Sequence, residues 1–451
     1  MSNELKAKYP SEPLKCWKKA KELREKYYRD YAMAHEKGGI RWSGGANNIE
    51  PIPAAFGKDV YPLTGEPYGA SIAYDKPFAA KCHAAAEEAG YPRDLCAYMR
   101  NYWGSMLINK FAFGGPYQHP DFYWQFHVCS SHAKWYQEAS RIGSKIAAKG
   151  APVFVTDLGV GPYFLKNEKT GHYYAAPNEN GIRYVVNQLH EHIEKLEKLL
   201  GRPFQDELFF EAAENYWENI SLWTRICLLN QAIPAPLDEK TIFSLYVFLA
   251  LNKASGEFVE FHRELLDEVQ DRVDRGIAAL PTERARIMDD IQPPWGFLQL
   301  YRYIEKFGCV CIGSVYSFGL MGIWDIDEDG TLKPKATPKE RGIEIKDRDQ
   351  CLTLLVDTIL ANIWSQNIIE QSFKAYLMER VYEQWHCEGI MIHFNRGCEG
   401  LTMGAAEQRL YLAEKGIPVV GYEGNMGDER EFDLAETEEK INAFMESLGL
   451  K

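Results

Sequence analysis

Apolar residues recur along this chain in two rhythms, and the alternation between them lays out the elements. Residues 12–37 (EPLKCWKKAKELREKYYRDYAMAHEK) read as a long charged helix that Gly38-Gly39 stops. The short apolar piece Ile40-Arg41-Trp42 leads into Ser43-Gly44-Gly45 and a Pro/Gly-rich stretch to about residue 70, so residues 1–60 are expected to form a helical arm and an entrance loop. Strand and helix then alternate. Asp75 caps a helix over 76–89 that Gly90 ends, and another helix begins near Asp94. The aromatic run Phe122–Val128 reads as a buried strand, Ser130 and Ser131 cap a helix to about Ala148, and Pro152–Thr156 is the next strand. That rhythm predicts a first α/β lobe over 61–178 with a parallel sheet. In 179–292 the period becomes helical, with Ile182, Val185, Val186, Leu189, Ile193, Leu196 and Leu200 on one face. Pro293-Pro294 closes this segment. A second α/β lobe is expected over 293–451, with strands Cys309–Ser314, Gly389–Phe394 and Pro418–Tyr422 and helices over 350–364, 368–385 and 401–414. A last helix opens at Asp433 with Glu436 three residues on. The predicted fold is α/β: two Rossmann-like parallel-sheet lobes, an N-terminal helical arm, and a helical segment between the lobes.

Composition narrows the partners. The 451 residues carry 51 Lys and Arg against 64 Asp and Glu, a net charge of −13. An acidic surface repels phosphate backbones, so nucleic acid is not an expected partner, although a local basic pocket for a phosphorylated ligand remains compatible. The first 20 residues are charged and lack an apolar core like that of a secretory signal. The apolar stretch Ile242–Leu251 falls far short of the roughly 20 residues a bilayer span needs. It reads as a buried core helix, and the expectation is a cytoplasmic protein with no membrane association.

Several motifs dissolve on inspection. Asp325, Asp327, Asp329 and Gly330 resemble half a calcium loop, but the twelfth position is Ala336 where a bidentate Glu is required, so a polar turn is expected. His190 and His192 stand two apart, which points them to different sides of a helix, so a solvated face is the expectation. Gly159-Val160-Gly161 follows a strand but lacks the third glycine of a dinucleotide loop, and neither GxxxxGK[ST] nor GxSxG occurs. Cys309 and Cys311 share one face of a strand and read as small buried hydrophobes.

The ten cysteines form no CxxC pair. Three share a telling context: Cys129 between a strand and a helix, Cys398 between the strand GIMIHF and a helix, and Cys96 near a helix start. Ligands of open α/β sheets gather beyond the carboxyl ends of strands, where helix N-termini offer N–H groups and positive potential. That setting favours the thiolate, which iron–sulfur clusters require. Three such thiolates would suit a [4Fe–4S] cluster with one iron lacking a protein sulfur. Their wide separation in sequence, taken alone, favours three independent buried cysteines over a shared cluster.

At these residues the chain resembles the subunits of the 2-hydroxyacyl-CoA dehydratase and benzoyl-CoA reductase family. The likeness is carried by LCAYMRNYWGSM around Cys96, VCSSHAKWYQ around Cys129 and HFNRGCEGLTMGAAEQRLYLAEKGIPVVGYEGNMGDEREFD around Cys398. Within that family it is most similar to the larger cluster-binding subunit of ATP-dependent benzoyl-CoA reductase. Glu423-Gly424-Asn425-Met426 supports this, since dehydratases more often have an acidic residue at the position of Asn425. The resemblance implies that Cys96, Cys129 and Cys398 ligate a [4Fe–4S] cluster. It implies a homologous second cluster-binding subunit in a heterotetramer, separate ATPase electron-activating subunits, and ferredoxin as the upstream donor. The implied reaction is reduction of the aromatic ring of benzoyl-CoA, or a related aryl-CoA, to a cyclic dienoyl-CoA in anaerobic aromatic catabolism. The alternatives are a 2-hydroxyacyl-CoA dehydratase subunit, or a non-catalytic partner subunit. Of the residues around the cysteines, His393 and Ser43 are candidate catalytic groups and Trp42 and Ser43 candidate substrate contacts. His127, His132 and Asn395 also flank the site.

Overall fold

A computed structural model describes residues 5–45, 49–148, 150–158, 161–363 and 369–450. Gly159 and Val160 of the glycine pair considered above lie outside the described residues.

The first sheet contains β1 (Ile40–Gly44), β2 (Val60–Thr64), β3 (Phe122–His127) and β4 (Val153–Asp157), all parallel, in the order β2-β1-β3-β4. Two short strands, β5 (Phe164–Lys166) and β6 (Tyr173–Ala175), pair as an antiparallel hairpin. The second large sheet contains β7 (Ala285–Asp290) and β8 (Cys309–Cys311). The hairpin β9 (Trp324–Ile326) and β10 (Leu332–Pro334) follows, and β11 (Gly389–Asn395) and β12 (Val419–Gly424) complete the second sheet in the parallel order β12-β11-β7-β8. Two four-stranded parallel sheets wrapped by helices are the expected pair of Rossmann-like lobes. Between them run the helices Glu179–Leu200, Asp206–Leu229, Glu239–Asn252 and Gly256–Asp274. Among the described residues no helix is long and apolar enough to cross a membrane, and Ile242–Leu251 lies within the buried helix Glu239–Asn252.

Two strands depart from the reading of the sequence. Ile40–Gly44, placed there in the arm, is an inner strand of the first sheet and buried along its whole length. Glycines at both ends leave its apolar run too short to be told from a loop. Ala285–Asp290, placed in the helical segment, is an inner strand of the second sheet. Its two adjacent aspartates disguised it. Both are buried and partnered: Asp289 accepts hydrogen bonds from the Tyr301 and Tyr422 hydroxyls at 2.9 and 2.8 Å, and Asp290 pairs with Lys374 at 2.9 Å. Burial raises the Asp289 carboxyl to about 7, against those two hydroxyl bonds.

Other expectations hold with shifted edges. Asp75 caps the helix Lys76–Glu88 by accepting from the Phe78 N–H. The strand expected to reach Ser314 stops at Cys311, because Ser314 caps the next helix through a reciprocal bond with Ser317. The aspartate run at 325–329 spans β9 and its turn, where Asp329 accepts from the Thr331 N–H at 3.0 Å. His190 and His192 do differ in direction. His190 meets Asp349 at 3.1 Å, but His192 is buried against the Val155 carbonyl rather than solvated.

Candidate active site

The site is built from three helix starts. Cys96 caps the helix Ala97–Leu107. That helix can lie close to its neighbours because of glycines: a Cβ on Gly69 would stand 2.7 Å from the Tyr98 backbone, and one on Gly104 would stand 2.1 Å from the Cys82 carbonyl oxygen. Cys129 follows β3 in the turn before the helix His132–Ala147. Cys398 caps the short helix Glu399–Thr402 after β11, and the preceding Gly397 takes φ +78°, a left-handed turn that favours glycine. Two of the thiols belong to the first lobe and one to the second. All three line one cavity of about 420 Å³ between the lobes. All ten cysteines carry free thiols.

Each of the three sulfurs has a distinct environment. Burial, with Cys398 and Cys129 close by, pushes the Cys96 thiol far up, while the Met99 and Tyr98 backbone N–H groups act the other way. Burial also pushes Cys398 up, to about 11, although the Gln292 amide donates to its sulfur at 3.0 Å and the Lys374 charge favours the thiolate. Lys374 is itself buried, holding Asp290 and donating to the Leu401 carbonyl at 3.1 Å. Cys129 differs. Burial would raise it, but His132 reverses the balance and holds the thiol below its ordinary value. His132 Nδ1 lies 3.2 Å from the sulfur and its Nε2 is 2.5 Å from Glu66 Oε1. Burial alone would lower His132; the charges of Cys129 and Glu66 raise it well above its usual value. Glu66, His132 and Cys129 therefore form a hydrogen-bonded row in the cavity wall that favours the ionised form of the thiol.

The remaining wall is largely apolar and aromatic. The helix Glu239–Asn252 contributes Phe243 and Tyr246, and Tyr316, Met321, Leu401 and Met426 are likewise buried. The Tyr246 and Tyr316 hydroxyls are 2.9 Å apart. Trp295 donates through Nε1 to the Tyr98 hydroxyl and bridges the lobes at the cavity edge. Two cations, the exposed Arg24 and the half-buried Lys240, stand where the lining reaches solvent.

The other expected residues lie elsewhere. His393 is fully buried and does not line the cavity; its Nδ1 bonds the Gln292 carbonyl at 2.6 Å and its ring stacks on Tyr422. Burial lowers it to about 4. Trp42 and Ser43 sit on β1 inside the first lobe, where Ser43 donates to the Leu63 carbonyl at 2.7 Å, instead of on a loop facing substrate. His127 is exposed at the end of β3, outside the lining. Asn395 works behind the wall, donating to Gln292 Oε1 and accepting from the Met426 N–H, both at 3.0 Å. Asn425 also lies off the cavity. It organises its own turn, donating to the Arg396 carbonyl and accepting from the Gly427 and Asp428 N–H groups. Glu66, Gln292 and Lys374 were missed by sequence reasoning, and the helix Glu239–Asn252, read there as a buried core helix, was not linked to the site. Only Glu66, three residues before Gly69 in a Pro/Gly-rich stretch, had any local signal, and that was weak.

Among the described residues no three His, Cys, Asp or Glu side chains come close enough to grip a single metal ion. The three thiols instead line one shared hollow. The sequence model of the 2-hydroxyglutaryl-CoA dehydratase D-component family matches residues 70–448. The chain belongs to that family. It is 25% identical to the (R)-2-hydroxyisocaproyl-CoA dehydratase alpha subunit of Clostridioides difficile, over 94% of this chain and 93% of that one. It is 23% identical to the (R)-phenyllactyl-CoA dehydratase alpha subunit of Clostridium sporogenes, over 93% and 92% of the two chains. The (R)-2-hydroxyglutaryl-CoA dehydratase alpha subunit of Acidaminococcus fermentans is 23% identical over 71% of this chain and 58% of its own length. These relatives are named for a dehydration, not for reduction of an aromatic ring. They shift the weight from the reductase reading of the sequence to its dehydratase alternative.

Proposed function

We propose that this dehydratase-family chain is the acyl-CoA-facing, cluster-holding subunit of a 2-hydroxyacyl-CoA dehydratase. The observation that carries the reading is the convergence of three thiols, from distant parts of two lobes, on one apolar cavity. The donor set suits an iron–sulfur cluster. Two of the cysteines stand at helix N-cap positions, and the amide of Gln292 offers one of their sulfurs a hydrogen bond of the kind that tunes cluster sulfur. Cys96, Cys129 and Cys398 would hold a [4Fe–4S] cluster. When bound, such a cluster supplies single electrons and an iron able to take an oxygen ligand.

The reaction removes hydroxide from C2 and a proton from C3 of the acyl group, leaving a 2-enoyl thioester and water. The chain's own residues serve that chemistry in three ways. The Glu66–His132 pair favours the thiolate form of Cys129 by placing an imidazole beside its sulfur and a carboxylate behind that. The Tyr246–Tyr316 hydroxyl pair places a hydrogen-bond donor in the wall for charge developing on the thioester oxygen. The apolar wall excludes water from a reactive intermediate. Arg24 and Lys240 at the solvent side suit the phosphates of a CoA carrier. The alpha-subunit relatives act as one chain of a larger enzyme, and this chain is proposed to pair with a homologous subunit and to receive electrons from an ATPase activator supplied by ferredoxin.

The aromatic wall supports aryl-CoA reduction as a second reading. Asn425, which favoured that reading in sequence, holds a turn outside the cavity and gives it no support. Electron counting with the reconstituted complex separates the two. A dehydratase turns over many substrate molecules per electron supplied. Stoichiometric consumption of electrons sinks the dehydratase reading.

A further inference from the structure

The names of the relatives span acyl groups with branched, aromatic and carboxylate side chains, so family membership does not say which kind this chain takes. The cavity lining does. We infer that the acyl group is uncharged and apolar, aromatic or branched aliphatic, and that a carboxylate-bearing acyl group is rejected. The inference rests on the acyl-CoA reading above and specifies its substrate class.

The inner wall is made of Phe243, Tyr316, Met321, Leu401 and Met426, all buried. Phe243 lies edge-on or tilted to Tyr246, Trp295 and Tyr316, with ring centroids 5.8–6.1 Å apart. Such an arrangement presents ring faces and edges to an apolar guest. A carboxylate carried into the same chamber loses its water and needs a buried cation in exchange. Among the described lining residues the permanent cations are Arg24 and Lys240, and both reach solvent. His132 is already committed between Cys129 and Glu66. Lys374, behind the wall, is committed to Asp290. The lining acids, Glu66 and Glu399, have the sign that repels a second carboxylate.

The test uses unreactive thioesters that lack the 2-hydroxyl: 3-phenylpropanoyl-CoA, 4-methylpentanoyl-CoA and glutaryl-CoA, with free CoA as reference. Their binding is measured by calorimetry to the full chain in its anaerobically purified complex. The two apolar esters are expected to bind more tightly than glutaryl-CoA by about 100-fold. Glutaryl-CoA equal to or tighter than both overturns the inference while leaving the acyl-CoA site standing. If no ester binds better than free CoA, the acyl-CoA reading itself falls and the inference with it. In Met321→Arg, which adds a cation to the inner wall, the preference is expected to shrink by about tenfold or more. A folded Met321→Arg protein with an unchanged preference places the acyl group elsewhere and overturns the assignment. If that variant does not fold, the ester series on the unaltered protein decides alone.

Discussion

At the scale of single residues the account turns on how differently the three thiols are surrounded. Cys129 has an imidazole beside it and a carboxylate behind that, whereas Cys96 and Cys398 depend on helix starts and an amide. Removing the charge of Glu66 weakens the case for a cationic His132 and so for the thiolate. In Glu66→Gln, alkylation of Cys129 in the cluster-free protein at neutral pH is expected to slow by about tenfold, read by mass spectrometry. An unchanged rate would mean that His132 acts without Glu66. His393 makes the opposite kind of prediction. Its imidazole is lowered to about 4 by burial, below its ordinary 6.5. A depressed value contributes stability that is full above pH 6.5 and is lost as pH falls through 4. The loss amounts to about 3 kcal/mol at most. His393→Phe is therefore expected to lose less stability than the unaltered chain between pH 7 and pH 4 in denaturant melts, whatever its stability at pH 7.

At the scale of elements, the helix Ala97–Leu107 matters most, because it carries Cys96 and can approach its neighbours only through Gly69 and Gly104. Gly104→Ala pushes a methyl into the Cys82 backbone. It is expected to destabilise the chain by about 2 kcal/mol in thermal unfolding and to lower its iron content in parallel. Stability lost with iron retained would detach the helix from the site. This element was legible in sequence only roughly: the reading started it near Asp94, and the structure starts it after Cys96. Strands with long apolar or aromatic runs, such as β3 and β11, declared themselves. β7 did not, since Asp289 and Asp290 look like surface residues until Tyr301, Tyr422 and Lys374 are seen around them. Cys129 and Cys398 stand out because a thiol after a strand and before a helix is a local pattern, whereas Cys96 offers only a helix start. Glu66, Gln292 and Lys374 do not stand out, because each earns its role from residues far away in the chain. His393 misled for the converse reason: closeness in sequence to Cys398 does not place a side chain on the same side of a strand.

At the scale of the whole molecule, a site shared between two lobes requires that the lobes be held. Arg100, fully buried, pairs with Asp428 at 3.1 Å and Glu87 at 3.5 Å, joining the helix of Cys96 to the turn after β12. Arg430 and His83 meet the same aspartate. Despite its burial, Asp428 is kept far below the usual carboxylate range by Arg430, His83 and Arg100. Asp428→Asn leaves the buried Arg100 guanidinium with Glu87 as its one remaining carboxylate partner. It is expected to cost about 3 kcal/mol in chemical denaturation and to loosen the cavity. A loss below 1 kcal/mol would show that the clamp is dispensable.

The most direct measurement is iron and acid-labile sulfide in the anaerobically purified protein and in Cys96→Ser, Cys129→Ser and Cys398→Ser. The unaltered chain should carry about four irons and four sulfides, and each replacement should lose most of both while the chain stays folded by circular dichroism. An iron-free parent, or three variants that all keep their iron, would contradict the claim that these thiols hold one cluster.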